Sequence, residues 1–90
     1  MDAKRHVTIV NKLGLHARAA AKLAKLASQF ESDVQIKRDD RTVNAKSIMA
    51  IMMLASGKGV GIVIEAQGLD AVEAVVQLEA LILERFGEPE

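Results

Sequence analysis

Apolar positions along this chain recur with two different periods. His6-Val7-Thr8-Ile9-Val10 is short, β-branched and alternating, which predicts a strand. Asn11-Lys12-Leu13-Gly14 breaks the alternation. Ala17 to Ser28 is built of Ala, Leu, Lys and Arg, and Ala20, Leu23, Ala24 and Ala27 recur at helical spacing. That predicts one buried stripe, with Arg18, Lys22 and Lys25 on another side as a basic face and Phe30 closing the core after the helix. Asp33 to Arg38 alternates again, Asp39-Asp40 reads as a turn, and Arg41 to Ala45 can return as a short antiparallel strand. Ser47 opens a compact apolar segment, Ile48 to Leu54. Ser56-Gly57-Lys58-Gly59 connects it to a further β run, Val60 to Ala66.

The last stretch reads as a helix. Asp70 followed by Glu73 has the spacing of a capping box. Val72, Val75, Val76, Leu78, Leu81 and Ile82 predict a broad apolar face, and Gly87 and Pro89 are stop signals. The order is therefore β-α-β-β-α-β-α. Three apolar helix faces need a surface to cover, and an antiparallel sheet offers one. The expected fold is α+β: an open-faced β-sandwich, with a four-stranded antiparallel sheet covered on one face by three helices.

Composition narrows the function. A chain of 90 residues predicts one domain, 1–90. It has no cysteine, which excludes disulfides and thiolate metal sites, and its two histidines do not by themselves build a zinc site. No metal or cofactor is expected. Lys+Arg and Asp+Glu balance at 12 each, and the two aromatic residues offer no stacking platform, so nucleic acid is not an expected partner. No apolar run approaches the roughly 20 residues that span a bilayer, and the start of the chain lacks a signal-peptide core. The expected location is the cytoplasm, without membrane insertion, and the expected state is a monomer.

The chemistry concentrates in Gly14-Leu15-His16-Ala17-Arg18. A histidine stands where a helix begins, with an arginine two residues on. The first turn of a helix has unpaired N–H groups and a partial positive charge, which attract anions. Arginine adds a planar fork suited to phosphate. Neutral imidazole is a nucleophile near pH 7, since its ordinary pKa is about 6.5. An imidazole held there can receive a phosphoryl group. The glycines at 57, 59 and 61 do not have the P-loop spacing and read as a turn.

Asn11-Lys12-Leu13-Gly14-Leu15-His16-Ala17-Arg18 resembles the active-centre motif of the HPr family, the histidine-containing phosphocarriers of the phosphoenolpyruvate-dependent phosphotransferase system. Asn44-Ala45-Lys46-Ser47-Ile48-Met49 resembles that family's second signature, around a regulatory serine. With the order of elements, the resemblance runs from about Lys4 to Phe86. It departs at Ala19, where the family usually has proline. Alanine is a good helix former, so the helix is expected to survive.

The resemblance implies that His16 accepts a phosphoryl group, on Nδ1, from the phosphohistidine of enzyme I and donates it to a histidine of an enzyme IIA domain. Arg18, with the backbone N–H groups of Ala17 and Arg18, would bind the phosphoryl oxygens. Ser47 would be a regulatory phosphorylation site for a dedicated serine kinase/phosphorylase. Lys22, Lys25, Ile48, Met49, Met52 and Met53 would line the docking face, with Ile51 and Leu54 in the core. Such a chain is a relay rather than an independent catalyst. It would serve sugar uptake or the nitrogen-related regulatory branch (NPr), towards which the lead-in at Asn11 and the methionine-rich helix lean. The alternative is a regulatory binding module controlled by phosphorylation of Ser47.

Overall fold

A computed structural model of the chain describes residues 1–54 and 56–90. Four strands form one sheet: β1 (Asp2–Thr8), β2 (Asp33–Arg38), β3 (Arg41–Asn44) and β4 (Gly61–Gln67). Their order is β1-β4-β2-β3, and every pairing is antiparallel. Three helices join them: α1 (Ala17–Ala27), α2 (Ile48–Met53) and α3 (Ala71–Leu83), followed by a 3₁₀ turn at Arg85–Gly87. The open-faced arrangement expected from the pattern is the one observed.

One sheet face is apolar. Val7, Val34, Ile36, Ile62, Ile64 and Ala66 are buried on it. α3 lies against β1, β4 and β2, and α1 runs beside α3 and α2. The stripe Ala20, Leu23, Ala24 and Ala27 is buried as the helical spacing requires, and Phe30 closes it. Burying the Leu23 side chain alone stabilises the fold by about 1.5–3 kcal/mol. The other sheet face is polar. There Glu65 of β4 takes Lys37 of β2 at 2.8 Å and Lys4 of β1 at 3.8 Å.

Three details depart from the pattern. β1 begins at Asp2, four residues before the predicted start, and Ile9 extends the pairing through its N–H to Val60 O at 2.9 Å. Lys4 and Arg5 hid the first part of this strand because it lies at the sheet edge, where exposed polar side chains are tolerated. In α3 the buried stripe is Ala71, Ala74, Val75, Leu78 and Ile82. Val72 and Val76 follow Ala71 and Val75 by one residue, about 100° round the helix, and are exposed. Asp70 is the residue before α3 but makes no side-chain cap bond. Its carboxylate crosses to the end of the α1–β2 loop, accepting from Glu31 N at 2.9 Å, Ser32 N at 3.0 Å and the Ser32 hydroxyl. Glu73 instead accepts from Gln77 at 2.6 Å. The predicted capping box is therefore absent, because a tertiary set of donors outcompetes the local one.

α2 is only six residues long and is held from both ends. The Ser47 hydroxyl accepts from Ala50 N at 3.2 Å. At the other end Arg38 donates to Leu54 O at 3.0 Å and Arg41 to Met53 O at 2.8 Å. Guanidiniums on the last carbonyls satisfy acceptors that no helix turn reaches and oppose the negative end of the dipole.

Candidate phosphoryl-acceptor site

His16 is the N-cap residue of α1, with an extended backbone at φ −72°, ψ 178°. The first helical bond runs from Ala20 N to His16 O at 2.8 Å. The N–H groups of Ala17, Arg18 and Ala19 therefore precede the hydrogen-bonded ladder. The helix forms without proline at Ala19, whose side chain is fully buried. Proline there would lose no intrahelical bond, and alanine adds one N–H at the positive end.

The approach to His16 depends on Gly14. Its φ is +65°, and a Cβ there would lie 2.5 Å from Ser56 O and 2.8 Å from Gly57 Cα. Leu15 N–H bonds that same Ser56 oxygen at 2.9 Å. No side chain fits where these two loops touch. Asn11 closes the turn by donating to Gly14 O at 2.9 Å. His16 thus stands on a turn braced from inside rather than on a loose loop.

His16 also has a neighbour from the end of the chain. Its Nε2 lies 2.5 Å from Glu88 Oε2, and Asn11 Nδ2 donates to Glu88 Oε1 at 3.0 Å. The His16 hydrogen bond, helped by Asn11 and by the charge of Lys22, holds the Glu88 carboxyl below the usual glutamate value despite partial burial. The tail reaches this place through Arg85 and Phe86, both left-handed at φ 59° and 56°, and then Gly87 at 79°. For the two non-glycine residues that conformation costs about 1–2 kcal/mol each. The buried Phe86 ring and the bond from Lys22 Nζ to Phe86 O at 2.6 Å offset the cost.

Arg18 is exposed and, among the described residues, has no hydrogen-bond or ion-pair partner. It lines a groove of about 630 Å³ with Lys12, Leu13, His16, Ala17 and the 88–90 tail. Lys22 and Lys25 are exposed on the same helix, but the Lys22 ammonium is anchored on Phe86 O and so braces the tail. On α2, Ile51 and Leu54 are buried, whereas Ile48, Met49, Met52 and Met53 are 44, 73, 43 and 65% exposed. α2 packs beside α1, so this apolar surface neighbours the helix that starts at His16. Ser47 is half-buried at the start of α2.

His16, Arg18 and the docking segment are legible in the sequence, whereas Glu88 is not, and Gly87 and Pro89 carry only stop signals there. Phe86 was the available sign, since an aromatic residue past a helix end must find a core to enter. Among the described residues no three His, Asp or Glu side chains are grouped as metal ligands, and no helix is long and apolar enough to cross a membrane.

Residues 3–84 match the family model described as the PTS HPr component phosphorylation site. This chain belongs to the HPr family. The phosphocarrier protein HPr of Cupriavidus necator is 55% identical over 87 residues, covering 97% of this chain and 98% of that protein. The phosphocarrier protein NPr of Shewanella violacea is 44% identical over 85 residues, covering 94% and 93%. Both branches thus lie among its relatives. The HPr-C-His crystal structure from Thermoanaerobacter tengcongensis superposes with a TM-score of 0.94 at 42% identity, covering 98% and 99%. The family assigns a phosphocarrier role in the phosphotransferase system. An HPr from that organism has also been solved as a dimer, at 45% identity and a TM-score of 0.78 over 91% and 94%, so the family does not dictate a monomer.

Proposed function

We propose that His16 is the phosphoryl acceptor, taking the group from the phosphohistidine of enzyme I and passing it to a histidine of an enzyme IIA domain in the cytoplasm. The observation that carries this reading is the place of His16 at the N-cap of α1, beside an Arg18 that has no partner of its own among the described residues. A ring-nitrogen lone pair attacks phosphorus in line as the donor's P–N bond breaks. Charge then spreads over the equatorial oxygens of a loose transition state. The N–H groups at the start of α1 and the Arg18 guanidinium suit that charge. No cofactor enters the step, and the chain acts as one relay unit. The docking face combines Arg18, Lys22 and Lys25 with Ile48, Met49, Met52 and Met53. Flexible methionines suit successive partners, and an acidic rim around an apolar centre would complement them.

Ser47 has a modulating part in this reading. A phosphate there adds about −1.5 to −2 charges beside Ile48 and Met49 and weakens docking.

The test is incubation with phosphoenolpyruvate, magnesium and enzyme I, beside His16→Ala, with intact mass recorded before and after mild acid. One acid-labile phosphoryl group on the wild type and none on the variant is the expected result. Equal labelling of both would refute His16. An acid-stable phosphate formed by a serine kinase and lost in Ser47→Ala would report the second site.

A further inference from the structure

The tail after α3 is fastened over the acceptor site at several points. Lys22 holds Phe86 O at 2.6 Å, Lys12 N–H holds Glu90 O at 3.0 Å, and Lys12 Nζ lies 3.5 Å from Glu90 Oε2. Between these fastenings, both Glu88 oxygens are engaged, one on His16 Nε2 and one on Asn11 Nδ2. The Glu88 and His16 side chains are 11% and 28% exposed. Asn11 is fully buried, and its amide nitrogen faces two acceptors, Gly14 O and Glu88 Oε1. Its own Oδ1 is left without a partner among the described residues. The amide is therefore oriented by what it donates to, and it aims the carboxylate at the imidazole.

We propose that Glu88 is a positioning residue for His16: its carboxylate accepts the Nε2 proton, and the neutral imidazole is left with its lone pair on Nδ1. The proposal deepens the reading of His16 as acceptor and rests on it. A neutral imidazole carries one N–H, so engaging one nitrogen as donor determines the role of the other. An ionised carboxylate can only accept, and Glu88 is held ionised by these same partners. A carboxylate on the far nitrogen plays this orienting part in other histidine-dependent sites.

The step balances without any further reactant. The Nδ1 lone pair forms the new N–P bond, and the donor's P–N bond breaks with its electron pair returning to the donor nitrogen. The His16 ring thereby gains positive charge, which the Nε2–H···Glu88 contact stabilises. Onward transfer reverses this, returning the bonding pair to Nδ1 and the ring to neutrality.

The test uses chain labelled with ¹⁵N-histidine on a His6→Gln background, which leaves one imidazole. Two-bond ¹H–¹⁵N spectra, recorded well above the ordinary histidine pKa, report which nitrogen carries the proton. The expected result is protonation at Nε2 in the Glu88 protein and a mixture of tautomers in Glu88→Ala. Acceptance of the phosphoryl group from phosphorylated enzyme I is expected to slow about tenfold in Glu88→Ala, the loss of one charge-assisted hydrogen bond. Glu88→Asp should recover part of the rate. Glu88→Gln should not, because its single carbonyl oxygen cannot serve both His16 and Asn11. A proton on Nδ1 in the Glu88 protein, or wild-type rate and tautomer in Glu88→Ala, overturns the proposal. A chain protonated at Nε2 that accepts no phosphoryl group upholds the positioning and refutes the relay reading instead.

Discussion

Replacing Gly14 by alanine tests how the acceptor histidine is carried. The residue sits at φ +65°, and the added methyl would meet Ser56 O at 2.5 Å and Gly57 Cα at 2.8 Å. Both obstacles are backbone, so no rotamer change relieves them. The left-handed conformation costs about 1–2 kcal/mol for a residue with a Cβ. Forcing a methyl into a filled contact adds about 1–3 kcal/mol. The sum, about 2–5 kcal/mol, is a large part of the roughly 5–15 kcal/mol that holds a domain of this size together. At about 4–8 °C per kcal/mol, the melting temperature should fall by at least about 8 °C. Gly57→Ala is the matched control, since among the described residues nothing lies within 4 Å of a Cβ there. The assay is thermal and urea unfolding of both variants. Equal stability of Gly14→Ala and Gly57→Ala would show that the contact between the two loops does not brace His16, and the reasoning would fail.

Further predictions follow from the other contacts. Arg18→Gln should fold with unchanged stability, since the side chain has no partner among the described residues, yet accept phosphoryl groups about 10²-fold more slowly; rapid-quench kinetics with phosphorylated enzyme I check this. Met49→Asp should change stability by less than about 0.5 kcal/mol, because the side chain is 73% exposed, while raising the KM for enzyme I; an unchanged KM would remove Met49 from the docking face. Asp70 has its carboxyl lowered, chiefly by the Ser32 hydroxyl and then by Glu31 N–H. The unfolded chain therefore binds the proton more readily, so this contribution is complete above about pH 3.9 and is lost as pH falls through the lower folded value. Acid unfolding of Asp70→Asn should show a shallower decline in that window, and an identical pH profile would count against the contact.

Much of this protein is written in local pattern. The Ala20-Leu23-Ala24-Ala27 stripe, the alternation from Asp33 to Arg38 and the β-branched run after Gly61 each bury the residues their period selects. Helix and strand periods are properties of a few consecutive residues, so they are visible without the fold. His16 at a helix start is also local, since Gly14 and the alanine-rich run lie within a few positions of it. The exposed side of α2 was legible in part, because six helical residues cannot bury five apolar side chains and Ala50 against one neighbour.

What the sequence left open are the contacts between distant segments. Asn11 and Glu88 are 77 positions apart, and His16 and Glu88 72 apart. No period or spacing links them; α3 must first dock on the sheet and the chain must then reverse through Phe86. Asp70 was readable as a helix cap from its own neighbours, but the assembled fold brings Ser32 and Glu31 to it and they take the carboxylate. Val72 and Val76 are as apolar as Val75, and only the docking angle of α3 decides which of them meets the core. The sequence by itself determined the elements, the order in which they come and the residue at the helix start. Tertiary structure decided which polar groups meet, because a hydrogen bond depends on positions in space that loops and packing set together, whereas a helix or strand needs only its own backbone.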